Sequence, residues 1–432
     1  MVLPSHAQEP SATTASPSGP LVITLQDALS RAQKNEPQYR AALTQYGVAR
    51  QATVQSRAAL LPNANFTSSY LYTEGNGTPT GRFIANNAVH EYVDQCNLHQ
   101  ALSWQMMAEY RQARAKEALA RAQSEIAARG LVVTVTQAYY TAVVAARKYS
   151  IAQQAAGEAQ HFFDITQKLE RGGEVAHSDT IKAQLQLGQQ QRALSDAQLQ
   201  MERARLDLAV LIFPNFNENF STVDDLDNPG VLPSYSDVET LAGNSNPQLA
   251  VALAAMKAAN QEVAIAWNSF LPSLSLDYFY GIDANQFAVN GRDLTIFPAR
   301  TVRNLGYAAE ATLNIPIWNW GASRSKVKAA ELERDQAKVE LSFAQRKMAA
   351  DLKDFYNEAQ TSRAQLESLR QSAELAAESL RLTTLRYQAG EATALEVVDA
   401  QNTLTLAQNA LGDGQVRYRV ALAALQTLSG KF

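Results

Sequence analysis

The residues able to do chemistry in this 432-residue chain are few, and their spacing suits none of the common reactions. His177-Ser178-Asp179 carries the letters of a nucleophilic triad, but consecutive residues at a helix start point in different directions, so no proton relay can run through them. The five histidines, His6, His90, His99, His161 and His177, show no metal-ligand spacing, and His-Glu-x-x-His does not occur. One cysteine, Cys96, allows neither an intrachain disulfide nor a cysteine-based zinc site. It reads as an incidental, half-buried thiol near an external loop. Gly75-Asn76-Gly77 and Gly412-Asp413-Gly414 lack the remaining glycines and the strand-turn-helix setting of a nucleotide loop. No enzyme, cofactor or metal site is expected.

Charge and hydropathy narrow the classes further. Lys+Arg total 38 and Asp+Glu 42, a formal net charge of −4, which offers no basic excess to nucleic acid. Hydrophobic residues make up 46% of the chain, enough for a folded protein. No apolar run approaches the roughly 18 residues of a spanning helix, which argues against a helical integral membrane protein. Residues 1–20, rich in Ser, Pro, Thr and Ala, are expected to form a disordered leader. Ser5-His6-Ala7 before Gln8 equally suits the cleavage site of a lost export signal.

The chain is a duplication. Asn35-Glu36-Pro37-Gln38 followed by Leu61-Pro62 recurs as Ser245-Asn246-Pro247-Gln248 followed by Leu271-Pro272, at an offset of 210. Gly173-Glu174, Ala183-Gln184 and Leu187 recur as Gly390-Glu391, Ala400-Gln401 and Leu404, at an offset of 217. The seven-residue difference reads as a heptad inserted into a long coiled helix, which would keep its buried face. The first repeat then spans 21–213 and the second 237–432, joined by an irregular connector, 214–236, with three prolines.

Within the repeats, apolar and small residues follow heptad steps of three and four. Val397, Ala400, Leu404, Ala407, Leu411, Gly414, Tyr418, Ala421, Leu425 and Leu428 form one such seam, and Met348 to Tyr387 another. Helices are expected at about 25–60, 106–171, 176–212, 237–270, 320–388 and 392–428. A helix of about 65 residues is about 100 Å long, too long for a globular core. Two shorter helices stacked end to end would match one long helix.

Between the helices the period changes to two. Leu274, Leu276, Tyr278, Tyr280 and Ile282 alternate with Ser273, Ser275, Asp277, Phe279 and Gly281. Leu305 to Ile317 does the same on odd positions, and the first repeat carries weaker copies. Strands are expected at about 63–73, 92–106, 273–283 and 304–318, lengths suited to a transmembrane barrel. Trp104, Trp267, Trp318 and Trp320 lie near the strand-to-helix junctions, where aromatic residues meet lipid headgroups. Four strands cannot close a barrel, and an open edge in lipid leaves backbone groups unpaired. Three copies would give twelve strands. A soluble rod, adaptor or scaffold is the alternative that the helices alone would allow.

These residues together resemble the TolC family of outer-membrane efflux and secretion channels, over about 21–430. The matching features are the duplicated Pro37 and Pro247 helices ending in Leu-Pro, the junction Leu313-Asn314-Ile315-Pro316-Ile317-Trp318-Asn319-Trp320-Gly321, and the helix-tip turns at Arg171–Glu174 and Tyr387–Glu391. The resemblance implies a mainly α fold whose duplicated coiled coils form an α-barrel tunnel, with a small transmembrane β part made by a homotrimer in outer-membrane lipid. It implies a bacterial outer-membrane location with a large periplasmic portion, and export alongside a periplasmic adaptor and an inner-membrane transporter. It assigns a gate to Asp179, Tyr387, Glu396 and Asp399, and adaptor contacts to Gly173, Val175, Ser178, Gly390 and Ala394. Carboxylates three apart share a helix face, so three chains would ring an aperture with negative charge and favour cations. The family's gate-locking Arg, two residues after the Gly, is replaced here by Ala392.

Overall fold

The structure, a computed structural model, describes residues 21–73, 90–215, 219–293, 298 and 300–430. The leader 1–20 and Gly75-Asn76-Gly77 lie outside them. In chain order the elements are β1 (Leu21–Ile23), α1 (Leu25–Asn35), α2 (Pro37–Ala58), β2 (Asn63–Tyr72), β3 (His90–Leu102), α3 (Trp104–Gly172), α4 (His177–Ile212), β4 (Phe220–Thr222), α5 (Tyr235–Ser245), α6 (Pro247–Asn268), β5 (Ser273–Ala284), β6 (Asn290–Asp293), β7 (Arg300–Arg303), β8 (Leu305–Asn314), α7 (Ala322–Gln388) and α8 (Ala394–Ser429). They form two compact units, each built from both repeats: one of Met1–Arg40, Ala128–Thr240 and Lys353–Phe432, the other of Ala41–Ala127 and Leu241–Leu352.

Both helices expected to begin each repeat are broken by proline. A proline inside a helix lacks the N–H for the ladder and pushes the preceding residue to extended backbone. Glu36 and Asn246 accordingly sit at ψ 121 and 120. Each proline then starts a new helix, and Asn246 caps α6 by accepting from Leu249 N at 2.9 Å. The segment Tyr235–Asn268 also holds a window of mean hydropathy 1.2, apolar enough by length and composition to cross a membrane. That corrects the sequence expectation. The window falls within α6, where Lys257, Asn260, Gln261 and Glu262 interrupt any continuous apolar run.

In the first unit the heptad seams are the packing surfaces. Every named seam position of α8 is buried or half-buried, as are Phe355, Ala359, Ser362, Leu366, Leu369, Ala373, Ala376, Leu380, Thr383 and Tyr387 at the same steps along α7. A core of Ile23, Ala28, Ala32, Val135, Tyr139, Tyr140, Leu208 and Ile212 lies where α1, α3 and α4 meet the short strands. The connector is not wholly irregular, because β4 pairs in parallel with β1, Leu21 opposite Phe220. Tyr139 Oη donates to both strand ends, to Val223 O at 2.8 Å and Ile23 O at 3.1 Å, and burial pushes its phenol up to about 12. Arg147 grips Asp224 and Asp227, while Arg419 donates to Asp225 Oδ2 at 3.0 Å and lies over the Tyr140 ring. The acidic connector is thus held down by two arginines from the helices.

The second unit holds a four-stranded antiparallel sheet in the order β2-β3-β5-β8. Two strands are shorter than expected. Ser103 caps α3, its Oγ accepting from Met106 N at 3.2 Å, so the second strand ends at Leu102 rather than 106. β8 ends at Asn314 rather than 318, because Pro316 cannot donate to a ladder. The connection Ile315–Gly321 instead turns through two left-handed residues, Trp320 at φ 54 and Gly321 at φ 82. The seven extra residues are not a helical heptad either. α3 has 69 residues and α7 has 67. The extra length falls instead in the hairpin between β5 and β8 and in the Ile315–Gly321 connection.

Within the sheet, glycine matters where β5 approaches β3. A Cβ on Gly281 of β5 would lie 2.2 Å from Asp94 O and 2.4 Å from Gln95 Cα of the adjacent strand, whereas one on its neighbour Gly306 would meet nothing within 4 Å. Backbone cannot swing aside as a side chain can. Gly281→Ala is therefore expected to destabilise the sheet by about 1–3 kcal/mol or more, and Gly306→Ala to be tolerated, as read by thermal unfolding of the two purified variants.

Candidate functional site: the four-stranded sheet and the helix tips

The pleat sorts the sheet into two chemically different faces. Phe66, Cys96, Tyr280 and Tyr307 stand in one row across all four strands, and Ala64, Leu98, Tyr278 and Ala309 in the next. This apolar face is open: Phe66, Tyr307 and Leu313 are 72%, 75% and 60% exposed. Cys96 lies in mid-strand on that face and is exposed, rather than half-buried near a loop. The opposite face carries Asn63, His99, Asp277 and Glu310 in one row. His99 Nδ1 lies 2.6 Å from Asp277 Oδ1, which offsets the repulsion between Asp277 and the facing Glu310. Glu91 and Asp283 share this polar face, and none of the four strands contains a Lys or Arg. This carboxylate row escaped the sequence reading, although the same two-residue period marked it.

The sheet ends without partners at β2 and β8. Both helix-bearing chain ends of every hairpin lie at one end of it, and both loops at the other. Trp104, Trp267, Trp318 and Trp320 sit at the helix-bearing end, all exposed, Trp318 and Trp320 ring against ring at 5.8 Å.

The helix tips belong to the first unit and are built twice. Gly173 at φ 75 and Gly390 at φ 76 close α3 and α7, values a side chain resists. In both, the residue after the glycine donates back five positions, Glu174 N to Leu169 O and Glu391 N to Arg386 O, satisfying orphan carbonyls. Val175 and Ala392 each pack against a core of Phe162, Ala183, Leu380, Tyr387, Val397 and Leu404.

The expected gate residues have different surroundings. Tyr387 is buried in that core, its ring 5.1 Å from Phe162 and its Oη donating to Thr166 Oγ1 at 3.3 Å. Burial, and secondarily the nearby Asp179 charge, raises its pKa. Asp179 is half-buried at the start of α4 beside Lys182 Nζ at 3.2 Å. Glu396 closes a reciprocal cap with Thr393: Thr393 N donates to its Oε1 at 3.1 Å, and Glu396 N donates to Thr393 Oγ1 at 3.4 Å. Arg386 Nη1 lies 3.6 Å from its other oxygen. Asp399 is exposed and makes no ion pair among the described residues. Of the expected contact residues, Gly173, Ser178 and Gly390 are exposed and Val175 is half-buried, but Ala394 is wholly buried, because helix α8 turns it into the core. The capping role of Glu396 was readable as Thr-x-x-Glu ahead of a helical seam.

A duplicated set of long helices with one open, apolar-faced sheet restricts the comparison to few folds. The sequence model described as outer membrane efflux protein matches residues 28–212 and 240–431. The chain belongs to the outer membrane efflux protein family. AprF of Pseudomonas aeruginosa, an alkaline protease secretion protein, is 25% identical over 429 residues, covering 94% of this chain and 84% of its own length. The outer membrane protein TolC of Vibrio cholerae is 24% identical over 417 residues, covering 94% of this chain and 90% of its own. Among solved structures, the outer membrane channel CmeC of Campylobacter jejuni shares the fold with a TM-score of 0.78 at 17% identity, over 100% of this chain and 93% of that one. The chain is an outer-membrane efflux or secretion channel with a large periplasmic helical part. The soluble adaptor or scaffold alternative is set aside by the family match.

The two tips differ in one cap: Ala176 stands in the first where Thr393 stands in the second, and it makes no side-chain hydrogen bond. Thr393→Ala is expected to cost about 1 kcal/mol of local stability, and Ala176→Thr to gain a similar amount, measured by amide hydrogen exchange at each tip. The hydrogen bonds from Thr393 backbone and side chain, with Arg386 nearby, hold the Glu396 pKa below its ordinary value. A depressed folded-state value means that the contribution is complete above the unfolded glutamate pKa of about 4.3 and is lost as the pH falls through the folded value. The protection factor at the second tip, the exchange rate corrected for the intrinsic pH dependence of amide exchange, is therefore expected to be flat from pH 7 to about 5 and to fall only in stronger acid.

Proposed function

We propose that three copies of the chain close one twelve-stranded barrel and form a passive exit duct, entered through the helix tips. The observation that carries this is the four-stranded sheet with two open edges and an exposed apolar face. In lipid each unpaired N–H and C=O costs several kcal/mol, so β8 of one copy must pair with β2 of the next. The flanking helices agree. Among its described residues α2 buries none fully, and Leu43 and Val54 on α2 and Leu332, Val339 and Phe343 on α7 are exposed apolar residues next to those edges in the sequence. Closure turns the apolar face to lipid and the carboxylate face to the lumen. Partners of this duct are a periplasmic adaptor, docking at Gly173, Ser178 and Gly390, and an inner-membrane transporter that supplies the energy. No catalytic step is assigned to the chain.

The tips are the proposed gate, with a division of labour among the expected residues. Tyr387 packs the tip core, Glu396 fixes the start of α8, and Asp399, with Asp179 beside Lys182, supplies charge to the aperture. A narrow ring outweighs charges on a wide lumen, because screening is nearly complete beyond about 8 Å at physiological salt.

Two measurements test the reading. The purified chain is expected to need detergent and to run as a trimer by native mass spectrometry; a monodisperse monomer without detergent would reject the duct. In planar bilayers Asp399→Asn is expected to lower the cation preference several-fold. Glu396→Gln, which can still cap, should change it little, and equal effects of the two would overturn the division of labour.

A further inference from the structure

Among the described residues of the β portion, Lys and Arg occur only at the loop end. Between Arg57 and Arg111 the sequence holds one Lys or Arg, Arg82, and between Lys257 and Arg324 it holds three, Arg292, Arg300 and Arg303. All three of the latter lie in the β6–β7 hairpin between β5 and β8, at the end of the sheet away from the helices. The four strands of the sheet, β2, β3, β5 and β8, have none. A guanidinium at the bilayer midplane of a barrel costs about 2–4 kcal/mol and near the interface almost nothing, so the interface is where arginines can be kept.

The hairpin presents them in a defined way. Asn290 faces Arg303 and Arg292 faces Thr301, which places Arg292 and Arg303 on one face as diagonal neighbours, about 7–8 Å apart at the backbone. Arg300 takes the opposite face. All three are exposed, and none makes an ion pair among the described residues. The hairpin is fixed to the sheet by Asn304, whose N donates to Val289 O and whose Nδ2 donates to Ala288 O, both at 2.9 Å. Gly291 admits that contact, since a Cβ there would lie 2.8 Å from the Asn304 amide. Phe287 packs on Tyr92 of β3 at 6.0 Å yet stays 67% exposed, and Val289 beside it is also exposed.

We propose that this hairpin docks the phosphate groups of outer-leaflet lipopolysaccharide. Two forked guanidinium groups on one face suit a phosphate monoester, which accepts paired N–H bonds. Phe287 and Val289 supply apolar contact of the kind that a glycolipid offers and a free anion does not. The site rests on the outer-membrane reading, which fixes the loop end as the outward one, and it adds a lipid partner to that reading.

The test uses the full chain in nanodiscs with fluorescent diphosphoryl lipid A as probe. The wild type is expected to bind it at least about tenfold more tightly than Arg292→Gln/Arg303→Gln does, and to bind fully dephosphorylated lipid A as weakly as that variant binds the phosphorylated form. Arg300→Gln should change binding less than threefold. Equal binding of phosphorylated and dephosphorylated lipid A by the wild type would overturn the proposal without reference to any variant. Complete displacement by low-millimolar inorganic phosphate would overturn the lipid assignment. Single-channel conductance in the same preparations separates this from the channel itself, since a conducting variant that has lost lipid A binding supports the site, and a non-conducting wild type indicts the duct.

Discussion

Backbone hydrogen bonding at the edges of the sheet is the constraint from which the rest follows. A strand exposed to water can leave its edge groups solvated, but the apolar row through Phe66, Cys96, Tyr280 and Tyr307 belongs in hydrocarbon, where no solvent serves them. Once the edges must be paired by other copies, the faces acquire fixed destinations. The side bearing His99, Asp277 and Glu310 can only be the inside, because a carboxylate facing lipid would be far more costly than one facing water. Asp94 is the exception that tests this logic. It stands in the apolar set, and Ser68 beside it donates to its Oδ1 at 2.5 Å, the kind of local satisfaction that an ionisable group in such a position requires.

The helical part answers a different demand. Packing there comes from seams in which alanine, glycine and serine alternate with leucine and tyrosine, so that helices approach closely over many turns without a thick core. Gly412 and Gly414 illustrate the closeness: a Cβ on the first would lie 2.9 Å from a Val144 methyl and on the second 2.5 Å from a Leu369 methyl. Such packing buries little area per residue, which is why the ends need separate reinforcement. The glycine turns, the Thr393–Glu396 cap and the arginine grip on Asp224, Asp225 and Asp227 supply it at positions where seam burial stops.

Most of this was legible in the sequence because period carries the information: two for the strands, three and four for the seams. What was misread lay at boundaries, where period is silent and single residues decide. Pro37 and Pro247 mark the repeat in the sequence, and each also ends the helix before it, because a proline cannot donate to the ladder. Ile315 and Ile317 keep the strand alternation past the point where Pro316 stops pairing. The resemblance placed Tyr387 in the gate and Ala394 at the adaptor contact; both side chains are buried in the tip core, as their spacing from Thr383 and Val397 on the helical seams implies. The three-residue spacing of Glu396 and Asp399 does not rank them; the Thr393-x-x-Glu396 signature does, because the cap occupies Glu396 and leaves Asp399 without an ion pair among the described residues.

The placement of the seven extra residues shows which parts of a duplicated channel can vary. A long helix packed along a seam cannot change length without exposing a turn of it, and α3 and α7 differ by two residues only. The strands are bounded by the bilayer, and β2 and β8 have ten residues each. Length is therefore free to change only where no partner measures it, in the outward hairpins and in the exposed Ile315–Gly321 connection. In the second repeat that freedom is used for a hairpin that concentrates arginine and for a turn that takes Trp320 into left-handed backbone at about 1–2 kcal/mol of strain. New interactions in such a chain are accordingly to be sought at the loop end and the junctions rather than along its helices.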